Sequence, residues 1–176
     1  MKNILILLLS LLTFNGCHKA LNDDELTLNK KAYLGDKLKL NGYYYEINPN
    51  TNGISEALFL YRDGTILCCG GSGDSEEPFA FMENLLGSPD FIEHAQAHKF
   101  YWGVFQIDDD AIQYERWYQG DGGLPAGRSE GNILNDSTFV IHKITMLDSG
   151  DESNENIVFH FHDYSPKPDS TNSFIH

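Results

Sequence analysis

The sequence predicts an all-β domain, an antiparallel meander that closes into a barrel of about eight strands with a short helical insert. Apolar and polar side chains alternate with a period of two in several segments, the first of which covers residues 38–47. Turn signals such as Asp63-Gly64 divide these segments, and nearly all the connections are short, which favours a meander. Closure removes the exposed edges of so many strands, and a two-sheet sandwich is the alternative arrangement.

The strands follow in order after a turn-forming cluster at residues 48–53. Residues 57–62 and 65–69 flank the Asp-Gly pair and therefore predict a tight hairpin. The polar residues 146–156 are expected to form a loose connection before the last strand. The remaining predicted strands cover residues 100–107, 111–118, 128–134, 138–145 and 157–164.

The helical insert is predicted at residues 78–99, where the alternation stops. Apolar side chains recur there at helical spacing, and a glycine followed by a Ser-Pro pair supplies one helix end and a new helix start. We therefore expect two short helices among the strands. The residues that carry this prediction are Phe79, Met82, Leu85, Leu86, Gly87, Ser88 and Pro89.

The N-terminus has the organisation of a secretory signal. Lys2 precedes an uncharged apolar run that is too short to span a bilayer as a helix, and Gly16 places a small residue directly before Cys17. The run Phe14-Asn15-Gly16-Cys17 resembles the lipobox of bacterial lipoproteins. This resemblance implies removal of residues 1–16 and attachment of lipid at Cys17, which would hold the protein on a membrane. Simple secretion is the alternative.

Length and charge limit the possible organisation and partners of the remaining chain. Removal of the signal leaves 160 of the 176 residues, which suits one domain with a sizeable core. The formal charge of −14 argues against nucleic acid and anionic lipid surfaces as partners. We predict a flexible lipid-anchored tether at residues 17–36, a barrel domain at residues 37–165 and a C-terminal tail at residues 166–176.

Aromatic motifs recur along the predicted strands. They are Asn41-Gly42-Tyr43-Tyr44-Tyr45, Tyr61-Arg62-Asp63-Gly64-Thr65, Trp102-Gly103-Val104-Phe105 and Gly131-Asn132-Ile133-Leu134. Together with the signal and the acidic segment after it, they resemble the lipocalin-like lipoproteins of bacteria with a cell envelope. Gly42-x-Tyr44 stands where lipocalins carry Gly-x-Trp in their first strand. The resemblance implies a lipocalin-like barrel and an apolar ligand, and it implies no catalytic residues.

The aromatic side chains also supply the candidate ligand-binding residues. Such side chains dominate protein cores, and they line apolar ligand pockets as well. Alternation places Tyr114, Arg116 and Tyr118 on one face and Glu115 and Trp117 on the other, without deciding which face is inside. An inward arginine would orient a ligand carboxylate. The candidates are Tyr44, Tyr61, Trp102, Tyr114, Arg116, Trp117 and Tyr118.

Two groups of residues suggest metal binding. His94 and His98 share a helix face, and His160 and His162 share a strand face, but nothing in the sequence brings the two pairs together. The acidic residues 108–110 lack the ligand spacing of a calcium loop and favour a charged turn. Surface histidines and a solvated turn are the preferred interpretations, so neither a metal nor a cofactor is predicted.

Two further pairs bear on catalysis and redox chemistry. Glu115 and Glu130 would resemble the acid pair of a glycosidase if they converged, but the sequence does not give their separation. Cys68 and Cys69 are adjacent, so we expect one buried thiol and one nearer to solvent, with a redox pair as the alternative. Neither pair gives a specific catalytic signature.

The sequence therefore predicts a non-catalytic, lipid-anchored protein of the cell envelope, on the periplasmic face or the cell surface. We expect its barrel to bind a small apolar or amphipathic ligand. The alternative is a non-catalytic interaction or assembly module that binds an envelope protein or a glycan. An envelope hydrolase is the least favoured hypothesis, and nucleic acid is not an expected partner.

Overall fold

A computed structural model describes residues 23–120 and 122–176, and the strands among them form one closed barrel. Each strand pairs in antiparallel fashion with the next in the chain, and the eighth pairs with the first. This confirms the all-β meander and its closure, which is consistent with a lipocalin-like fold. The strands are β1 (Gly42–Ile47), β2 (Ile54–Leu60), β3 (Thr65–Gly70), β4 (Trp102–Asp108), β5 (Ala111–Trp117), β6 (Ala126–Asn135), β7 (Thr138–Met146) and β8 (Glu152–Asp163).

The two largest differences from the predicted strand boundaries have reasons visible in the hydrogen bonds. β1 begins only at Gly42, because the residues before it cross one end of the barrel, where Lys39 N donates to Asp136 O at 2.9 Å. β8 begins as early as Glu152, which pairs with Thr145 across a turn closed by Gly150 at φ +74°. Polar side chains there do not prevent strand pairing, since the pairing uses the backbone.

The predicted Asp-Gly hairpin joins β2 to β3. Gly64 has φ +91°, a conformation that favours glycine, and Tyr61 N donates to Thr65 O at 3.0 Å. The Asp63 carboxylate accepts from both the backbone N–H and the hydroxyl of Thr65. Glycine is also required for space, because a Cβ at position 64 would lie 2.2 Å from Lys31 O.

The insert between β3 and β4 is helical, as predicted. It comprises helix α1 (Pro78–Leu86), helix α2 (Pro89–Ala97) and a short 3-10 helix (Lys99–Tyr101). Their apolar side chains pack against the outer surface of the barrel, with Met82 and Ala95 almost fully buried. No helix in the described part of the chain is long and apolar enough to cross a membrane.

The two faces of the barrel wall bury separate apolar clusters. The inner cluster fills the barrel with side chains such as Tyr44, Leu58 and Phe105. The outer cluster contains Phe59 and Trp102 and is covered by the helices. Adjacent strand residues belong to opposite clusters, as period-two alternation requires. The structure thereby decides which residues face the barrel interior.

The adjacent cysteines illustrate this division. Cys68 belongs to the inner cluster and Cys69 to the outer cluster, so their side chains lie on opposite faces of β3 and both are free. The expectation that one thiol lies near solvent is wrong. Both residues are at most 3% exposed, because the helical insert covers the outer face at Cys69.

Residues 23–40 form a strap along the outside of the barrel instead of a free tether. Glu115 on β5 accepts hydrogen bonds from Thr27 N at 2.6 Å and Leu28 N at 2.8 Å. Further along, Tyr33 N donates to Arg62 O at 2.9 Å. The strap thus corrects the predicted tether over residues 23–36, because these polar contacts join it to residues far away in the chain.

The strap also closes one end of the barrel. Tyr33 and Leu38 are buried in the inner cluster, where the Tyr33 ring lies 5.9 Å from that of Phe105. Leu38 N donates to the Tyr33 hydroxyl at 3.2 Å, which fixes the turn between them. We call this the closed end, and we call the opposite end, where β5 ends at Trp117, the open end.

The C-terminal residues pack on the barrel without regular structure. Lys167 Nζ donates to Leu40 O and Leu60 O at 2.7 and 2.8 Å and lies 4.3 Å above the Tyr61 ring. Ile175 is buried in the outer cluster. The Lys167 contacts attach the start of the predicted tail near the closed end, whereas Ile175 lies by Trp117 toward the open end.

Candidate ligand-binding site

Arg116 projects into the barrel interior near the open end. It follows the inner-cluster residue Tyr114 by two positions on β5, and its strand neighbours are Gly103 on β4 and Gly127 on β6. A Cβ at position 103 would lie 2.9 Å from the Arg116 Cβ and 3.0 Å from Ile66 of the inner cluster. The two glycines therefore leave room in the wall for the large guanidinium side chain.

Arg116 forms an ion pair with Glu56 of β2 inside this end. Arg116 Nη2 lies 2.5 Å from Glu56 Oε1, and the two side chains are only 17% and 18% exposed. The guanidinium carbon also lies 4.1 Å from the centre of the Tyr118 ring. A charged pair and an aromatic face are thus held together in a region that is largely shielded from water.

Two buried polar atoms near this pair have no hydrogen-bond partner among the described residues. They are Arg116 Nε and the hydroxyl of Ser129, a residue with no exposed surface. Ser129 lies opposite Tyr114 on the neighbouring strand. Since an unpaired buried polar group costs about 1–3 kcal/mol, these atoms indicate a place where water or a ligand supplies the missing partners.

A cleft opens onto the ion pair through the barrel wall. Its volume is about 250 Å³, slightly below the usual range for drug-sized ligands. It arises because β3 pairs with β4 only from Thr65 to Leu67, which leaves the end of β3 without a neighbour on that side. The cleft is lined by Ser55, Glu56, Cys68, Cys69, Gly70, Phe100, Tyr101, Arg116, Trp117, Tyr118 and Gln119.

The electrostatics of the open end are acidic on balance. Burial raises the pKa of Glu56, although the neighbouring Arg116 opposes the rise. Burial also raises the pKa of Glu46, and repulsion from Glu56 and Glu155 adds to it. Glu56 thus pairs with Arg116, while Glu46 and Glu155 add negative charge beside this pair. This arrangement disfavours a purely anionic ligand and favours one that donates hydrogen bonds to a carboxylate while accepting from Arg116.

The two tyrosines of the cluster are held in the neutral form. Burial raises the pKa of Tyr114 well above its ordinary value, and burial likewise raises the pKa of Tyr118 in spite of the nearby Arg116. The Ser129 hydroxyl lies beside both phenols and opposes these rises, but its geometry is not that of a normal hydrogen bond. Both phenols therefore remain available as hydrogen-bond donors at neutral pH.

The half of the barrel toward the closed end is filled by side chains. Phe139 and Phe159 stack at 4.9 Å between ring centres, and the Tyr44 ring lies 5.1 Å from that of Phe139. Each of these three residues is at most 1% exposed. This packing leaves the open end as the part of the interior that a ligand reaches.

Three of the seven sequence-predicted binding residues meet at this site. Tyr114, Arg116 and Tyr118 lie on the inner face of β5 and its continuation, so alternation grouped them correctly. The structure adds Glu56 and Ser129, which sequence reasoning missed. The sequence did contain a signal for Glu56. It is a glutamate in the largely apolar β2, two and four positions before the inward Leu58 and Leu60, and alternation therefore places it on the same face.

The other four candidates lie outside this interior cluster and have structural partners, although Trp117 also lines the cleft from the outer face. Tyr44 is inside, where its hydroxyl donates to Lys39 O and Asp136 O at the closed end. The remaining three lie in the outer cluster. Their ring N–H or hydroxyl groups donate to backbone oxygens of covering segments, namely Tyr61 to Pro168, Trp102 to Ala95 and Trp117 to Asp24.

The histidine pairs remain on the outer surface. The His94 and His98 rings lie 4.0 Å apart at the end of α2, whereas His162 contacts Glu83 of α1 at 3.1 Å. Within residues 23–120 and 122–176, no group of three or more His, Cys, Asp or Glu side chains is arranged to hold a metal ion.

The two glutamates considered as an acid pair have other partners. Glu115 is fully buried under the strap and pairs with Arg128, while Glu130 pairs with Lys143 at 2.8 Å. Burial alone would raise the pKa of Glu115, but hydrogen bonds from Leu28, Thr27 and Arg128 outweigh burial and lower it. An ionised, fully bonded carboxylate is suited to attach the strap.

Comparison with family models, curated proteins and solved structures finds no match to this chain.

Proposed function

We propose that this protein is a lipid-anchored, non-catalytic envelope protein that binds a small amphipathic molecule at the open end of its barrel. One observation carries the ligand-binding part. Arg116 Nε and the Ser129 hydroxyl are buried without partners beside an ion pair and a cleft. A ligand whose polar group accepts from Arg116 and donates to Glu56 would satisfy these atoms, and half-buried aromatic side chains would cover its apolar part.

The anchoring part of the proposal rests on the sequence alone. Cys17 lies outside the described residues, and its lipidation follows from the signal that precedes it. Labelled lipid should enter the full-length protein during expression in a bacterial host and should be lost in Cys17→Ala. Incorporation that survives this substitution would contradict the anchor without bearing on the ligand site.

The binding part is tested with octyl glucoside below its micelle concentration as a neutral amphipathic probe. Its hydroxyl groups both donate and accept, so NMR titration should shift the amide signals of Glu56, Arg116 and Tyr118 first. Octanoate, which has a charged head and no donor, should shift them less, because the open end is acidic. Shifts confined to the outer surface would contradict the proposal.

Two double variants distinguish a specific loss of the site from a general loss of stability. Glu56→Gln with Arg116→Gln removes the inner ion pair without leaving an unpaired charge, and should abolish the probe-induced shifts. Glu130→Gln with Lys143→Gln removes an exposed ion pair of 2.8 Å on the outer face and should leave the shifts unchanged. Equal effects of the two pairs would contradict a specific site.

A further inference from the structure

The strap begins beside the open end of the barrel. The Asp23 carboxylate accepts from Lys99 Nζ at 3.2 Å and from Leu124 N at 3.1 Å. The Asp24 carboxylate accepts from Ala126 N at 2.9 Å, and its backbone oxygen accepts from Trp117 Nε1 at 2.7 Å. These contacts hold the start of the strap next to the end of β5, where the cleft opens.

The attachment of the strap shortens the chain available as a spacer. Five residues lie between Cys17 and Asp23, which makes six steps along the chain. An extended chain covers at most about 3.6 Å per step, so this spacer reaches about 20 Å. A free tether over residues 17–36 would have reached roughly 65 Å by the same measure. The first distance is smaller than the height of the barrel, since ten-residue β6 extends about 33 Å along its own axis and about 25 Å along the barrel axis at a strand tilt of about 40°.

We infer that the open end of the barrel faces the lipid bilayer that holds the acyl chains of Cys17. This inference rests on the proposed lipid anchor. The spacer ends at the open end and is too short to let the barrel turn its closed end toward the lipid. The partner is a bilayer of zwitterionic headgroups, because the chain carries a formal charge of −14 and would be repelled by an anionic surface.

The side chains around the open end suit that partner. Phe100 and Tyr101 are half-buried and line the cleft at the rim, and their rings lie 4.5 Å apart. Aromatic side chains of this kind are enriched at membrane–water interfaces. The closed end carries the more exposed ion pairs Lys37–Asp110 and Lys39–Asp136, whereas the Lys99–Asp23 pair beside the open end is less exposed. The cleft therefore opens toward the lipid, from which an amphipathic ligand would enter directly.

The orientation is tested on the full-length lipidated protein in phosphatidylcholine vesicles that contain a headgroup fluorophore. A reporter dye is placed through Gln119→Cys at the open end or through Leu134→Cys near the closed end, both at exposed positions. The native Cys68 and Cys69 are buried and will not take the dye. Energy transfer to the lipid should be several-fold greater from position 119 than from position 134.

A longer spacer provides the matched control. Insertion of about 20 Gly/Ser residues between Lys19 and Ala20 adds a flexible reach of about 25 Å, so the difference between the two positions should largely disappear. Equal or reversed transfer in the unmodified spacer, with the protein bound to vesicles, would overturn the orientation alone. Failure to bind vesicles would overturn the anchor and the orientation together, and the octyl glucoside titration would still report on the cleft separately.

Discussion

Glu115 attaches the strap to the barrel, so its removal should destabilise the folded protein. The Glu115 side chain has no exposed surface and accepts five hydrogen bonds, from Thr27 N, Thr27 Oγ1, Leu28 N and two nitrogens of Arg128. Glu115→Ala removes all five and leaves the Arg128 guanidinium without its carboxylate. Loss of one partner of a buried ion pair costs about 3–5 kcal/mol.

Denaturant unfolding of the wild type and Glu115→Ala measures this cost. We expect the free energy of unfolding to fall by about 3–5 kcal/mol, which for a domain of this size lowers the melting temperature by roughly 6–20 °C. Native-state hydrogen exchange should show faster exchange of the Thr27 and Leu28 amides. Glu130→Gln, which affects a pair exposed by more than a third, should cost less than about 1 kcal/mol.

The pH dependence of the same variant has a defined sign. The pKa of Glu115 is lowered in the folded protein. Its contribution to the free energy of unfolding is therefore complete above the unfolded-state pKa of about 4.3, and it is lost as the pH falls through the folded-state pKa. The difference in the free energy of unfolding between the wild type and Glu115→Ala should therefore be constant from neutral pH to about pH 5 and should shrink below pH 4. If Glu115→Ala lowers the free energy of unfolding by less than about 1 kcal/mol at pH 7 and leaves hydrogen exchange of the Thr27 amide unchanged, the attachment of the strap through Glu115 is refuted.

The remaining predictions concern the tail, the thiols and the site. Burial lowers the pKa of Lys167 to about 8, so the contribution of this side chain to stability rises between pH 8 and 10. The difference in urea-unfolding free energy between the wild type and Lys167→Met should therefore shift in favour of the wild type over that range. Burial raises the pKa of Cys68 to about 12 and that of Cys69 well above its ordinary value, so a thiol reagent at pH 8 should modify neither until the protein unfolds. Gly127→Ala places a Cβ 2.9 Å from the Tyr118 ring and should displace the ring, which a changed NMR signal of Tyr118 would report.

Local sequence patterns predicted the barrel well because they depend on neighbouring residues. The hairpin at Gly64 and the helices of residues 78–97 follow from turn chemistry and side-chain spacing. The strap was mistaken for a tether because its stability depends on Glu115, which lies 88 positions from Thr27 in the chain. No pattern within the acidic, polar strap reveals so distant a partner.

The candidate site was predictable only in part for a related reason. Alternation grouped Tyr114, Arg116 and Tyr118, but the inner face of β5 is defined only when the barrel closes. Glu56 was missed because β2 is apolar on both faces, one toward the interior and one under the helices, so its alternation is weak. The residues of the candidate site are therefore harder to predict from local sequence than the fold is.

Native mass spectrometry of the full-length protein from bacterial membranes, before and after organic extraction, tests the ligand site most directly. We expect an extra mass that extraction removes, present in the wild type and absent when Glu56→Gln and Arg116→Gln are combined. The outer-face pair Glu130→Gln with Lys143→Gln should retain it. A bound mass that persists in the inner double variant, or no bound mass in any of the three proteins, would contradict a ligand at the open end.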